Sequence, residues 1–119
     1  MPKILVVDDT EFLRFRISKM LTEDGFQTVE AEDGETAVQK YKDEKPDVVL
    51  MDLTMPNMDG ITSLKTIREY DSDAQVIMLT ALGQESIILD AIKSGAKDFV
   101  VKPFQKERVL SAINKLVSV

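Results

Sequence analysis

Four short apolar stretches of the chain each end at side chains that could do chemistry. Asp8 and Asp9 follow ILVV, Asp52 follows DVVLM, Thr80 follows VIML and Lys102 follows DFVV. A single aspartate in such a place is most often a turn former or helix cap, and Asp8 or Asp9 alone could cap the next helix. Three carboxylates gathered together repel each other, however, and one lysine cannot neutralise all three. The set therefore predicts a bound divalent cation.

The chemistry that such a site favours is phosphoryl transfer to an aspartate. Mg²⁺ binds a few carboxylates together with waters and phosphate oxygens. A carboxylate beside the metal can attack a phosphoryl group and form an aspartyl-phosphate. Asp52 is the best candidate nucleophile because its strand is predicted to be central and buried, whereas Asp8 and Asp9 would hold the metal. A lysine and a hydroxyl could then stabilise the phosphoryl oxygens.

The elements that must position these residues alternate between strand-like and helix-like patterns. The predicted strands are 4–7, 26–31, 47–51, 75–79 and 98–101, and the predicted helices are 10–24, 34–45, 59–70, 84–94 and 105–117. Strands alternating with helices indicate an α/β fold, a parallel sheet with helices on both faces. Ligands of such sheets bind at the carboxyl ends of the strands, where the polar residues are expected to meet.

Two helices carry more detailed expectations. In the first, Thr10 is a candidate N-cap and Gly25 a candidate C′ glycine. In the fourth, the helical period places Ile88, Ala91 and Ile92 on the buried face. Residues 87–89 are three consecutive aliphatic residues, so we expect one of them to stay partly exposed.

The composition fits one globular domain and excludes several kinds of site. The 119 residues are 44% hydrophobic and 30% charged, and 15 basic against 21 acidic residues give a net charge of −6. This balance argues against binding nucleic acid through a basic face. The absence of cysteine and histidine excludes disulfides, the usual zinc sites and imidazole-based triads. With no signal-peptide pattern and no apolar run of about 18 residues, we expect a cytoplasmic protein that binds no membrane.

Together these residues resemble the receiver domain of two-component response regulators over the whole chain, residues 1–119. The matching stretches are ILVVDD (4–9), DVVLMDLTMPNMDG (47–60), VIMLTA (76–81) and GAKDFVVKPF (95–104). The likeness is strongest to single-domain chemotaxis regulators, through TMPNMDG, the Gly83-Gln84 pair and GAKDFVVKPFQ. The resemblance implies a doubly wound, flavodoxin-like sheet of five parallel strands in the order 2-1-3-4-5, with five helices.

The resemblance also implies a role for each acidic residue of the site. Asp52 is expected to accept a phosphoryl group from a phosphohistidine of a sensor histidine kinase. Asp9 and Asp52 would bind Mg²⁺ directly with the backbone carbonyl of Thr54, and Asp8 would act largely through a metal-bound water. Mn²⁺ or Ca²⁺ could substitute for Mg²⁺.

The same resemblance assigns the switch and the groups that contact phosphate. Thr80 and Lys102 are expected to contact the phosphoryl oxygens, and Lys102-Pro103 is expected to be a cis peptide. On phosphorylation Thr80 would move toward the phosphate and Phe99 would turn inward, although a plain core role for Phe99 remains open. The positions that tune phosphoryl lifetime in the family are Thr54 and Leu82, and an apolar Leu82 is expected to slow hydrolysis.

The output surface implied by the family lies on the fourth helix, fifth strand and fifth helix. Its members here are Ile87, Leu89, Lys97, Lys106 and Arg108. A scattered surface aliphatic residue is the simpler explanation of Ile87 or Leu89. The expected readers of this surface are a downstream target such as the flagellar motor switch, with a phosphatase as a further partner.

The predicted function is therefore a phosphorylation-activated signalling switch, a monomer that acts on no separate substrate. One alternative is a receiver from a larger regulator with a DNA-binding or enzymatic output domain. A second is an aspartate-nucleophile phosphatase, which would need an acid/base aspartate where this chain has Thr54. A third, a flavin or nucleotide carrier, would need a glycine-rich phosphate loop after the first strand, where Asp8 and Asp9 stand instead.

Overall fold

The computed structural model describes residues 1–53, 55, 57–81 and 84–117, and Glu85 by its backbone alone. Two positions that the sequence singles out, Thr54 and Leu82, lie outside the described residues. Strands and helices alternate in the order β1 (Lys3–Val7), α1 (Glu11–Glu23), β2 (Gln27–Ala31), α2 (Gly34–Glu44), β3 (Val48–Asp52), α3 (Gly60–Tyr70), β4 (Val76–Thr80), α4 (Glu85–Lys93), β5 (Asp98–Val101) and α5 (Lys106–Val117).

The five strands form one parallel sheet in the order β2-β1-β3-β4-β5, which confirms the predicted fold class and strand order. Every residue of β3 and β4 is buried, because helices cover both faces of these central strands. All strand carboxyl ends lie along one edge of the sheet. The four stretches with polar ends therefore deliver their side chains to the same side of the molecule.

Alternate residues of each strand divide the core into two clusters. In β1, Ile4 and Val6 pack with α1 and α5, whereas Leu5 and Val7 pack with α2, α3 and α4. The sheet is thus covered by two helices on one face and three on the other. This period of two explains why an almost continuous aliphatic strand suits a sheet that is buried on both sides.

The ends of several elements differ slightly from the sequence-based expectation. Asp52 and Thr80 are the last residues of β3 and β4 rather than the residues after them. Gly25 ends α1 with a φ of 93°, as expected for a C′ glycine. Thr10 is the N-cap residue, but its side chain makes no capping bond. The Thr10 amide instead donates to Asp8 Oδ1 at 2.8 Å, so the turn before α1 is closed by the aspartate.

The prediction for the buried face of α4 is wrong for Ile92. This side chain is 43% exposed, and Ile88 is only partly buried. Among the described side chains of α4, only Ala91 is fully buried. The helix rests on the sheet through its smallest apolar residue, so its larger aliphatic side chains project outward.

Of the helices within the described ranges, none combines the length and the apolar character that crossing a membrane requires.

Candidate functional site

Three carboxylates meet at the carboxyl edge of the sheet. One oxygen each from Asp8, Asp9 and Asp52 lies within 4.8 Å of the other two. The strand register produces this arrangement, because β1 and β3 are neighbours and pair Val7 with Met51. The two adjacent aspartates after β1 therefore face the last residue of β3. These residues form a cluster that could bind a metal ion.

Lys102 supplies the positive charge of the cluster. Its Nζ donates to Asp8 Oδ2 at 3.1 Å and to Asp52 Oδ1 at 3.2 Å. Three carboxylates against one ammonium leave two negative charges (−3 + 1 = −2) in a partly buried site. A hard divalent cation with oxygen ligands fits both this charge and this donor set.

The two adjacent aspartates have different surroundings. Asp8 is 1% exposed, and its two carboxylate oxygens accept bonds from the Thr10 amide and from Lys102. Its carbonyl oxygen also accepts a 2.6 Å bond from Arg14 Nη1. Asp9 is exposed and makes no side-chain hydrogen bond within the described part of the chain. Asp9 therefore has the carboxylate that is freer to bind a cation directly.

The surroundings of Asp52 disfavour the ionised form of its carboxyl. Burial raises the pKa of this carboxyl above its usual value, and the charges of Asp8 and Asp9 raise it further, while Lys102 opposes them. Burial also works against the charge of Lys102, but the carboxylates of Asp52 and Asp8 outweigh it and raise the pKa of the ammonium. The site thus keeps its lysine charged, but this single ammonium does not outweigh the burial and the two neighbouring carboxylates that raise the pKa of Asp52.

Thr80 places a hydroxyl on the strand next to Asp52. The residue is fully buried, and its Oγ1 has no hydrogen-bond partner among the residues that the structure describes. Its backbone is fixed, because the Lys102 amide donates to the Thr80 carbonyl at 2.6 Å. A buried hydroxyl without a partner is costly, so this one is available to an incoming acceptor or donor.

The N-terminus of α3 approaches Asp52 closely. The Gly60 amide donates to the Leu53 carbonyl at 2.9 Å, which closes the connection between β3 and α3. A β-carbon at Gly60 would overlap the carbonyl oxygen of Asp52. Glycine is therefore required where the helix passes the backbone of the candidate nucleophile.

The remaining predicted residues lie on α4, on α5, and on or next to β5. Lys102-Pro103 is cis, as expected. Phe99 is half-buried and packs against the core cluster beneath α2, α3 and α4. All five residues of the predicted output surface are exposed: Ile87, Leu89, Lys97, Lys106 and Arg108. Arg108 bonds the Phe99 carbonyl at 2.7 Å and pairs with Asp98 at 3.4 Å.

Three residues of the site's surroundings were missed by the sequence reasoning. Arg14 holds the Asp8 carbonyl and also pairs with Glu30 at 3.3 Å. Asp33 caps α2 and accepts a 2.8 Å bond from Asn57. An aspartate before a glycine at a predicted helix start is a cap signal that could have identified Asp33. No sequence signal pairs it with Asn57, because that contact depends on the tertiary fold.

Comparisons with protein-family models and with known proteins agree on one family. Residues 4–114 match the response regulator receiver domain. The chain is 56% identical to the chemotaxis protein CheY of Bacillus subtilis, with 98% of each chain covered. It is 47% identical to the chemotaxis protein CheY of Thermotoga maritima, with 96% of each chain covered.

A solved structure shows the same fold in a liganded complex. The CheX-CheY-BeF3-Mg²⁺ complex from Borrelia burgdorferi contains a chain that superposes with a TM-score of 0.92 at 42% identity. The match covers 98% of the present chain and 90% of the other. The likeness to single-domain chemotaxis regulators expected from the sequence is thereby confirmed.

Proposed function

The chain belongs to the response regulator receiver family as a CheY-like, phosphorylation-activated switch of a two-component system, and we propose that Asp52 accepts the phosphoryl group. The observation that carries this proposal is the position of Asp52 at the end of the central strand β3. There a buried carboxylate meets two further carboxylates and one lysine. Members of this family are signalling switches rather than classical enzymes, so the protein itself is the substrate.

We propose that Mg²⁺ is held by Asp9, Asp52 and the backbone carbonyl of Thr54, with Asp8 acting through a bound water. The charge balance and oxygen donors of the cluster support this choice. Thr54 is assigned from the resemblance alone. When bound, the metal neutralises charge on the phosphoryl oxygens. Lys102 would also neutralise charge on the phosphoryl oxygens, and its ammonium bonds both Asp8 and Asp52.

Transfer would proceed by attack of an Asp52 carboxylate oxygen on the phosphorus of a phosphohistidine. The new O–P bond forms as the P–N bond breaks, and its electron pair returns to the imidazole nitrogen. The imidazole, protonated on its other nitrogen, leaves as the neutral ring. The donor must lie on the partner, because this chain has no histidine. Attack of water on the same phosphorus would later release phosphate and restore Asp52.

The switch would be read through Thr80 and Phe99. The unpartnered hydroxyl of Thr80 gains an acceptor when a phosphoryl oxygen arrives beside Asp52. Movement of Thr80 leaves space, which the half-buried ring of Phe99 can fill. A ligand shifts such an equilibrium only by its different interaction with the two states, and a new hydrogen bond to Thr80 supplies that difference.

The partners that we propose are a sensor histidine kinase, a downstream effector of the flagellar motor-switch kind and a phosphatase. The effector would bind the output surface, which is made of two exposed aliphatic residues and three exposed basic residues. We propose residues 1–119 as the receiver unit and a monomer as its working state. Phosphorylated protein should bind a purified motor-switch protein more tightly than unphosphorylated protein, whereas a receiver from a larger regulator should show no such binding.

The phosphoryl lifetime is proposed to depend on Leu82, with Thr54 as the second tuning position. An apolar side chain beside the phosphoryl group hinders the approach of water. Leu82→Glu should therefore shorten the phosphoryl half-life, measured by loss of radiolabelled phosphate after removal of the donor. An unchanged or longer half-life would remove Leu82 from the tuning positions.

The test of the proposed function is phosphorylation by acetyl phosphate and Mg²⁺, followed by intact mass spectrometry. Wild-type protein should gain the mass of one phosphoryl group, and Asp52→Asn should gain none. Asp43→Asn, which changes an exposed aspartate of α2, is the matched control and should label like wild type. Equal labelling of Asp52→Asn would overturn the assignment. Turnover of small phosphoesters far above one per protein would instead favour the phosphatase alternative.

A further inference from the structure

A partly buried polar contact joins the N-terminus of α2 to the segment that follows Asp52. Asn57 Nδ2 donates to Asp33 Oδ2 at 2.8 Å. The other oxygen of the same carboxylate, Oδ1, accepts the Thr36 amide at 2.7 Å and caps α2. Asp33 is 7% exposed, whereas Asn57 is exposed, so the contact is partly buried on the side of the carboxylate. One carboxylate thus serves both the helix and the connection between β3 and α3.

The backbone on both sides of the contact is built for close approach. Asn57 has a φ of 69°, a conformation that asparagine tolerates better than most residues. A β-carbon at Gly34 would overlap the carbonyl oxygen of Met58. Ser63 Oγ donates to the Gly34 carbonyl at 2.8 Å, which ties α3 to the same point. Three separate contacts therefore hold α2 against this connection.

The contact lies where it can control the site without touching it. Asn57 is five residues after Asp52 in the chain. The near end of the connection is fixed by the Leu53 amide, which donates to the Leu79 carbonyl at 3.2 Å. Among the described residues between positions 53 and 59, Asn57 alone makes a side-chain hydrogen bond to another element. Its loss would remove one of the contacts that hold the outer end of the connection while leaving the strand intact.

We infer that Asn57 and Asp33 are positioning residues for the metal and phosphoryl site: their hydrogen bond holds the connection between β3 and α3 at Asn57. The inference rests on the proposed function, in which the backbone of that connection supplies a metal ligand. Bonding of Asp33 to Thr36 and Asn57 also lowers the pKa of its carboxyl, so the pair carries a charged acceptor at neutral pH.

The test is a Mg²⁺ titration by calorimetry, since the chain has no tryptophan to report binding. Asn57→Gly tolerates the left-handed backbone and removes the whole side chain with its amide donor. Asn57→Asp also keeps the backbone but sets two carboxylates against each other. Asp33→Ser retains a capping oxygen and loses the bond to Asn57. Each should weaken Mg²⁺ binding by about tenfold, the low end of the effect of residues that orient metal ligands.

The double variant Asp33→Asn with Asn57→Asp is the decisive control. It reverses donor and acceptor, keeps the cap and the net charge, and should return the Mg²⁺ Kd to within about twofold of wild type, because the charge-assisted bond is rebuilt. Phosphorylation of Asn57→Gly should be slow at low Mg²⁺ and recover at saturating Mg²⁺. A purely structural role would lower the melting temperature and leave this Mg²⁺ dependence unchanged.

The outcomes separate the two proposals. A wild-type Mg²⁺ Kd in all three single variants, or a double variant no better than Asn57→Asp, would overturn the positioning role while Asp52 labelling stands. Failure of wild-type protein to label on Asp52 would overturn the proposed function instead. The metal titration is informative in both cases because it needs no phosphorylation.

Discussion

The carboxyl edge of the sheet divides into two halves that are built differently. We call the ends of β1 and β3, with the N-termini of α2 and α3, the anchored half. The ends of β4 and β5 with α4 are the open half. The anchored half carries the carboxylates of the candidate site, and the open half carries Thr80, Phe99 and part of the output surface.

Polar contacts and close approaches hold the anchored half. Asp8 is bonded through both carboxylate oxygens and its carbonyl. Asp33 joins α2 to the segment after Asp52. Leu64 and Ile67 of α3 are at most 1% exposed.

In the open half, Lys102 bonds Asp8, Asp52 and the Thr80 carbonyl, and the Ala81 amide bonds Gln84. The described switch residues and α4 are held less firmly. The hydroxyl of Thr80 has no partner among the residues that the structure describes, Phe99 is half-buried, and α4 buries a single described side chain, Ala91. Leu89 on the same helix is 62% exposed.

This difference in polar contacts and packing suits the two halves to different functions. Phosphoryl transfer needs carboxylates held in a fixed geometry before the donor arrives. A switch needs an element whose two arrangements differ by only a few kcal/mol, and elements with little buried apolar surface meet that need. The anchored half is suited to chemistry and the open half to reporting it.

The largest expected effect compares one leucine from each half. Leu64→Ala removes a fully buried side chain of α3 and should lower the free energy of unfolding by about 3 kcal/mol. Leu89→Ala on α4 should change it by less than about 0.5 kcal/mol, because that side chain is already largely exposed. Urea denaturation followed by circular dichroism measures both. Similar losses in the two variants would show that α4 is as firmly packed as α3.

A second comparison lies inside the anchored half. Asp9→Ala should weaken Mg²⁺ binding about tenfold more than Asp8→Ala does. The reason is that both carboxylate oxygens of Asp8 already accept hydrogen bonds, one from the Thr10 amide and one from Lys102. Calorimetric titration with MgCl2 measures the two constants under identical conditions. Equal losses, or the reverse order, would undo the division between a direct and a water-mediated ligand.

The smallest expected effect concerns the open half. Thr80→Val keeps the volume and removes the buried hydroxyl that has no described partner. The free energy of unfolding without phosphate should stay the same or rise by up to about 1 kcal/mol. Thermal unfolding of both proteins without acetyl phosphate measures this change. A clear loss of stability would mean that the hydroxyl is already satisfied before phosphorylation.

Sequence reasoning predicts the three carboxylates that the structure brings together in the anchored half, and with the family resemblance it predicts the whole topology. The strand order was inferred through the family resemblance, and strand ends such as Asp52 were recognisable because a carboxylate after an aliphatic run is conspicuous. The contacts that support these groups were not recognisable. Arg14 and Asn57 reach their partners through tertiary structure, and neither residue type at its position indicates which partner it will find.

In the open half, the sequence pattern predicts burial incorrectly. The helical period of α4 predicted a buried Ile92, yet this residue is exposed, because periodicity gives the spacing of a face and not how closely it packs. Ala91 is the described side chain of α4 that is fully buried in the core, and Ile88 is only partly buried.

The most direct measurement is amide hydrogen exchange, read by mass spectrometry, with and without phosphorylation by acetyl phosphate and Mg²⁺. Asp52→Asn under the same conditions controls for metal and donor. In wild-type protein, exchange should change most in peptides of α4 and β5, with α2 and α3 altered no more than in Asp52→Asn. A phosphorylation-dependent change confined to α2 and α3, or the same change in Asp52→Asn, would contradict the assignment of chemistry to one half and reporting to the other.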